Sequence, residues 1–451
     1  MVEHTERPKN RERERETYTV MQRVCVVVAV ATLVGCVLLL GTSGSVAQQD
    51  VCHGQPNTDP IYTSDPVFVS KVTNGTRYLA GEGDDSIHLL HLWGTPYEMG
   101  FAGGKLMGQE LIKTYNKMWA YLEDMVANYI DFFPEAIREW IAKFGLDAAL
   151  DLTFEVTKPY TDARFNEELK GWADGSGAPE LLLRRLNMLP ELTKAGCSMF
   201  GAWGNATRAT DGSLFQLRAL DWDVNAPIKD MPAMIVYHPE EGDGHSYANI
   251  GWPGLIGALT GYSSSSIGIS EKVWLTSNDL DTRFGTPWTY VLRDILQYAN
   301  ELDDALTILA NAHRTCSIHV GVGDSVTGEF RGVEYAYKAL NIYDDHNQPV
   351  YADHPHFAGL VYWDKHKQPT SDPCLPALLK KYYGSINAIN TIQNIAAEFQ
   401  TGNAQVAVYD FGQDLVYVAN PRADGESGPL DAFDRQYVRF DMQKIFAEPR
   451  P

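Results

Sequence analysis

A cysteine that opens a strand can carry amide chemistry if the bond before it is cut. Gly196-Cys197-Ser198 sits well inside the chain and leads a strand-like stretch to Trp203. Cleavage before Cys197 would free an α-amine beside its own thiol, so one residue would supply both nucleophile and base. Such an amine has an ordinary pKa of about 7.7–8.0, close enough to neutrality to take the thiol proton and return it to a leaving amine. In an acidic lumen the pair would rest as thiolate and ammonium. Gly196 suits the cut, since without a Cβ it crowds the scissile carbonyl least and tolerates the strained backbone of an N-to-S acyl shift. Taken alone, Cys197 reads more simply as a structural cysteine starting a core strand. Its partners change that balance. Arg218 and Asp221 end the next strand-like run, and a turn at Asp211-Gly212 would bring that run back antiparallel beside the first. Asp221 would then hold the α-ammonium, and Arg218 would orient Asp221 or bind a substrate carbonyl.

The elements around these residues come in blocks. Gln48 to about Arg77 is polar and turn-rich and reads as an irregular lead-in. A strand over 87–93 precedes a long helical region from Gly94 to about Thr157, broken at Pro134, and a second from Asn166 to Met188, divided at Gly175-Ser176-Gly177. Short strands follow at 197–203, 214–220, 233–237, 246–249, 256–260, 266–270 and 273–276. Helices return over 287–298 and 302–311, then strands over 318–322, 332–337, 406–410 and 415–419. Strands and helices in runs predict an α+β protein with layered antiparallel sheets covered by helices, not a doubly wound parallel sheet.

A net charge of −21 over 451 residues repels phosphate backbones and excludes nucleic acid as a partner class. The charge-free run Val24–Gly41 follows Arg23 and leads to Ser45-Val46-Ala47, the small-x-small form of a signal-peptidase site. Its length also reaches that of a spanning helix, so a type II anchor is the alternative. A start at Met21 would give a signal of ordinary proportions. Residues 1–47 are thus tail and signal, 48–196 a mostly helical segment, and 197–451 the catalytic segment. Sequons at Asn74 and Asn205 fit a glycoprotein of the secretory pathway, lysosomal or secreted. Outside the apolar run the cysteines are Cys52, Cys197, Cys316 and Cys374. With Cys197 reserved for catalysis, Cys316 with Cys374 is the expected disulfide, and Cys52 is an alternative partner.

KAGCSMFGAWG followed by GSLFQLRALDWD resembles the choloylglycine hydrolase and acid ceramidase group of N-terminal nucleophile (Ntn) hydrolases, in which a nucleophilic Cys precedes a strand ending in Arg-x-x-Asp. GTPYEMGFAGGKLMGQEL resembles the segment upstream of the nucleophile in the isopenicillin N acyltransferase relatives. GVGDSVTGEFRGVEYA resembles their paired strands, with Asp324 and Glu334. The likeness extends to acid-ceramidase-like protist proteins over nearly all of the chain after the signal. It implies a four-layer αββα sandwich with a helical N-terminal segment, autocleavage between Gly196 and Cys197, subunits that stay associated, and hydrolysis of a non-peptide C–N bond in an N-acyl, lipid-like small molecule such as ceramide. By motif Cys197 is the nucleophile, with Arg218 and Asp221 beside it. Asn278 is matched to the oxyanion-hole asparagine. Asp353 stands where acyltransferase relatives carry Asn in Thr-Asn-His, and Arg283 and Arg314 are candidate substrate-binding arginines. Phospholipase B-like ester cleavage, acyl transfer, or a lumenal binding protein without catalysis are the alternatives.

Other chemistries find little support. His354, His356 and His366 lack a companion zinc signature, Gly321-Val322-Gly323 lacks the third glycine of a dinucleotide loop, and Ser263–Ser266 is not a nucleophile elbow. No cofactor or metal is expected. Trp203, Trp222, Trp252 and Trp274 are candidates to line a lipid-accepting cleft with transient contact to a membrane surface, or simply to pack the core.

Overall fold

The computed structural model describes residues 51–128, 135–193, 195–275 and 280–451. The apolar run at 24–41, the Ser45-Val46-Ala47 site and Asn278 lie outside the described residues. Among those described, no helix is long and apolar enough to cross a membrane.

The lead-in is not irregular throughout. It contains a hairpin of β1 (Val67–Val72) and β2 (Gly75–Ala80), to which β3 (Ile87–Gly94) adds. The sequence hides this hairpin because β1 is an edge strand exposing Val67, Phe68 and Val69 in succession, which leaves no inside–outside alternation to read. Helices α1 (Pro96–Asn128), α2 (Glu135–Phe144), α3 (Leu146–Thr157), α4 (Ala163–Ser176) and α5 (Glu180–Leu192) follow. The glycine-rich start of α1 is where α4 crosses it. A Cβ on Gly100 would sit 2.2 Å from the Glu168 carbonyl oxygen, and one on Gly171 2.3 Å from that of Tyr97, so only glycines allow this approach.

The strand-rich half begins with β4 (Gly196–Ala202), β5 (Phe215–Asp221), β6 (Ala233–Pro239), β7 (Tyr247–Gly251), β8 (Gly261–Ser263) and β9 (Ile267–Val273). Residues 256–260 form a loop and not the expected strand. Their amides are met from outside any sheet, Ile256 N donating to Asn187 Oδ1 (2.9 Å) and Ala258 N to the Thr289 carbonyl (3.0 Å). The strand expected at 266–270 runs on to Val273 as β9, whereas Trp274 and Leu275, expected in a separate strand over 273–276, lie outside it and residue 276 is not among those described. Then come α6 (Trp288–Tyr298), α7 (Leu302–Asn311), β10 (Ile318–Asp324), β11 (Glu329–Ala336), β12 (Ala339–Tyr343), β13 (Leu360–Trp363), α8 (Cys374–Lys381), a helical run over 388–399, β14 (Gln405–Asp410), β15 (Leu415–Ala419) and β16 (Val438–Asp441).

These strands form two sheets. One has ten strands in the order β1-β2-β3-β6-β7-β8-β9-β10-β11-β12, the other six in the order β13-β4-β5-β14-β15-β16. Among the strands described, β3 with β6 is the one parallel pair. Met199, Val236, Phe330, Trp363 and Tyr409 pack between the sheets. Helices α1, α6 and α7 cover the outer face of the larger sheet, while α8 and the 388–399 run cover the smaller one through Leu375 and Ile392 against Phe200 and Leu217. The result is an αββα sandwich: the block order anticipates sheets covered by helices, and the resemblance implies the four layers.

The expected Cys316–Cys374 disulfide does not form. Cys374 bonds Cys52 instead. The segment after Cys52 lies along the 388–399 run, with Gly54 N on Glu398 O (3.0 Å) and Asn57 N on Gln393 O (2.8 Å), which carries Cys52 to α8. Cys316 is free and precedes β10 on the other sheet.

A buried ion pair ties α4 to α6. Arg293 donates to Glu168 Oε2 at 2.5 Å and also to Tyr247 Oη and the Ile256 carbonyl, with both charged residues almost fully enclosed. Glu168→Ala would leave the guanidinium buried and unpaired, and chemical denaturation should show a loss of roughly 3–5 kcal/mol.

Candidate active site

The β4–β5 pairing sets Gly196 opposite Asp221, Cys197 opposite Leu220 and Met199 opposite Arg218. Opposed residues share a face, and faces alternate along a strand. Cys197, Met199 and Arg218 therefore face the ten-stranded sheet, where Ser270 Oγ lies 3.4 Å from Met199 Sδ. Gly196, Ser198 and Asp221 face the helical layer behind. The spacing of three that joins Arg218 to Asp221 in sequence thus separates them across the sheet.

On the inner face, Arg218 Nη2 lies 3.9 Å from Cys197 Sγ and 3.4 Å from Glu271 Oε2, and that oxygen is 4.0 Å from the sulfur. All three side chains are buried. The guanidinium pairs with Glu271 of β9 and not with Asp221, as the sequence reading had allowed. Arg218 Nε and Nη1 and Glu271 Oε1 have no hydrogen-bond partner among the described residues. The trio therefore has donors and an acceptor to spare for a carbonyl oxygen or an amine. Lys272, also buried, adds a second positive charge near the thiol.

On the outer face Asp221 is held from behind. Thr401 Oγ1 donates to its Oδ2 (2.7 Å) and Gly402 N to its Oδ1 (2.8 Å), and Ser198 Oγ lies 2.7 Å from Thr401 Oγ1. This fixes a carboxylate on the residue paired with Gly196.

Burial, reinforced by the Glu271 carboxylate, pushes the Cys197 thiol up to about 12 in the uncut chain, with Arg218 and Lys272 pulling the other way. The thiol is protonated and needs a base. Burial also raises Glu271 to about 7 against the pull of Arg218 and Lys272, which places that carboxyl in the range where it can accept the proton. Sequence reasoning passed over Glu271. The adjacent charges Glu271 and Lys272 closing the strand-like stretch IGISEKV were a usable signal, because charges on a covered strand need partners.

An apolar cavity of about 90 Å³, walled by Met118, Leu186, Leu189, Trp222, Trp252 and Trp288 among others, reaches Glu271, Leu220 and Ala195 beside the trio. Two of the four tryptophans singled out in the sequence line it. Trp274 packs near His319, and Trp203 lies by the inter-sheet core.

Other candidates fall elsewhere. Arg314 binds main-chain carbonyls of Ala310 and Ala336, tying the end of α7 to β11. Asp353 occupies the turn closed by the mutual backbone bonds of Tyr351 and His354. Arg283 reaches the Glu191 carbonyl. Asp324 accepts from Leu302 N at the start of α7, and Glu334 from Asn341 and Tyr343. Asn205 is exposed, while Asn74 turns the β1–β2 hairpin and accepts from Arg450.

Over 436 residues the chain is 37% identical to protein dcd1A of Dictyostelium discoideum, which covers 92% of this chain and 97% of that protein. The chain belongs to the dcd1 family. Protein dcd1B of the same organism is 38% identical over 410 residues, 87% of this chain and 81% of its own length. An uncharacterized protein of Archaeoglobus fulgidus is 25% identical over 302 residues, 61% of this chain and 48% of that one. No family profile matches the chain. Among solved structures, a Caenorhabditis elegans N-acylethanolamine-hydrolyzing acid amidase ortholog overlaps 54% of this chain and 99% of its own, with 14% identity and a TM-score of 0.39. Penicillin V acylase from Agrobacterium tumefaciens overlaps 55% and 87%, with 11% identity and a TM-score of 0.35.

The Glu271 carboxyl of this dcd1-family chain gives a signed pH dependence. With a folded value near 7 against an ordinary 4.5, the native state holds an extra proton between them. The stability it contributes is full below the ordinary value and is lost as pH rises through the folded one, a swing of about 3 kcal/mol. His88, His91, His238 and His319, held neutral by burial, act in the opposite sense, losing stability as pH falls. Comparing Glu271→Gln with the parent isolates the carboxyl. Melting temperatures should coincide at acidic pH and diverge above neutrality, with the glutamine variant the more stable.

Proposed function

We propose that this chain is a self-processing cysteine hydrolase of the N-terminal nucleophile type, acting on the C–N bond of an N-acyl amide with a long apolar acyl group. The observation that carries the reading is the joint placement of Cys197. Its thiol lies against Arg218 and Glu271 on one face of β4, and the Gly196 before it pairs with Asp221, whose carboxylate is fixed on the other.

In maturation, Cys197 Sγ adds to the Gly196 carbonyl carbon while Glu271 takes the thiol proton. The Gly196–Cys197 C–N bond breaks, the nitrogen leaves protonated as an α-amine, and water then hydrolyses the Gly196 thioester. The glycine imposes little crowding there, since a Cβ would meet Asp221 Cβ at 3.3 Å. In turnover the freed amine becomes the base, Asp221 steadies its ammonium form, and Arg218 and Lys272 favour the negative charge that develops on sulfur and on the substrate oxygen. The apolar cavity takes the acyl chain. Ceramide-like and other N-acyl lipids fit that chemistry.

The Cys52–Cys374 bond supports folding in an oxidising compartment and hence passage through the secretory pathway. In this reading the two halves stay together after the cut, because the Cys52–Cys374 disulfide, the Glu168–Arg293 pair and the pairing of β3 with β6 all span it.

Electrophoresis of the secreted protein tests the mechanism. After reduction of the Cys52–Cys374 bond, wild type should yield two fragments meeting at Gly196 and Cys197, and Cys197→Ala a single uncut chain. Asp221→Asn should fold and yet process and turn over at least ~10-fold more slowly. An uncut wild type at both acidic and neutral pH, with no release of amine from N-acyl substrates, would sink the proposal.

A further inference from the structure

Glu191 lies five residues before Gly196, at the end of α5, and is 3% exposed. Its carboxylate is one of the most completely bonded groups in the protein. Oε1 accepts from Trp288 N (2.8 Å) and Thr315 Oγ1 (3.1 Å), and Oε2 from Cys316 Sγ (3.2 Å). The main chain is gripped as well. Arg283 Nη1 donates to the Glu191 carbonyl, Cys316 Sγ lies 3.4 Å from the same oxygen, and Trp288 Nε1 donates to that of Pro190 at 3.2 Å. Every one of these donors lies after Cys197, whereas Glu191 and Pro190 lie before it.

The same stretch has two tasks in the reading above. Residues 193–196 deliver the bond to be cut, and Leu186, Leu189, Pro190, Thr193 and Ala195 wall the apolar cavity together with Trp288. Once the bond is broken this stretch ends in a free C-terminus, and the Cys52–Cys374 disulfide joins the halves only at the far end of its fragment.

We propose that Glu191 is a positioning residue that clamps the end of α5 onto the catalytic half, aligning the Gly196 carbonyl with Cys197 before the cut and keeping the new C-terminal tail in place as a wall of the acyl cavity after it. The proposal rests on the nucleophile reading of Cys197. The clamp acts at a distance from the sulfur, so its loss slows the cut without touching the chemical groups. In the mature enzyme its loss weakens binding and spares the chemical step. Burial favours the protonated form of Glu191, and the charge of Arg283 with the donors from Trp288, Cys316 and Thr315 opposes this. The group can therefore keep most of its bonds in either state. Cys316 is explained too: it is a thiol donor to the clamp, with its own ionisation suppressed by burial and by the neighbouring Glu191 carboxylate.

The test uses the full secreted chain in four forms, wild type, Glu191→Ala, Glu191→Gln and Cys316→Ser, with folding checked by thermal melting. Fragment formation is followed over time, and the cut protein is assayed on a long-chain N-acyl aminocoumarin. Glutamine keeps the volume and the acceptor for Trp288 and Thr315 but turns an amide NH₂ toward the Cys316 donor, so it decides the matter if the alanine variant does not fold. Both Glu191 variants should be cut at least ~10-fold more slowly, and their matured forms should show KM raised about tenfold with kcat within about twofold of wild type. Cys316→Ser, which keeps a donor, should match wild type. A Glu191→Gln protein cut at the wild-type rate with unchanged KM overturns the clamp and leaves Cys197 as the nucleophile. A wild type that is neither cut nor active removes the nucleophile reading and the clamp together.

Discussion

The antiparallel register of β4 with β5 is the constraint from which the rest of the site follows. By placing Gly196 across from Asp221 and Met199 across from Arg218, it sends the thiol and the guanidinium to one face of a sheet and the carboxylate to the other. A slip of one residue would exchange those faces and take Cys197 away from Glu271. The register is held on both flanks, by β13 against β4 and β14 against β5, and by close contact with the facing sheet. At Gly201 a Cβ would lie 2.1 Å from the Phe330 ring.

Burial makes these groups expensive and reactive together. A guanidinium, a carboxyl, an ammonium and a thiol enclosed between sheets and helices interact through few screening waters, so each shifts its neighbours. Glu271 is pushed toward neutrality and the thiol far above its ordinary value, which keeps the uncut chain protonated at sulfur until a base takes the proton. Arg218 is enclosed with only part of its donor set matched within the protein. Asp221 contrasts with this, its oxygens met by the Thr401 hydroxyl and the Gly402 amide.

The helical half is bound to the sandwich at several unrelated points. Arg293 reaches into it at Glu168, Tyr115 donates to the Pro253 carbonyl, and Glu191 is enclosed by residues 283–316. The acyl cavity is shared between the halves, with Met118 and Leu186 from one and Trp222, Trp252 and Trp288 from the other. Its shape therefore depends on contacts that a broken backbone would leave intact.

The sequence by itself was enough for the local facts. A glycine before a strand-opening cysteine, an Arg and an Asp closing the next strand, the turn at Asp211-Gly212 and the boundaries of α7 and β15 all depend on residues close along the chain, where periodicity and turn chemistry act directly. The strand count around 256–276 and the β1–β2 hairpin were misread, because buried loops and exposed edge strands lack the alternation that marks a half-covered strand. What only tertiary structure decided involves partners far apart in the chain. Glu271 lies 74 residues from Cys197. Cys52 bonds Cys374 across 322 residues, and Glu191 meets Trp288, Thr315 and Cys316. Each pairing is selected by which strands and helices become neighbours when two sheets and two helical layers bury their apolar faces together. No spacing along the chain encodes it.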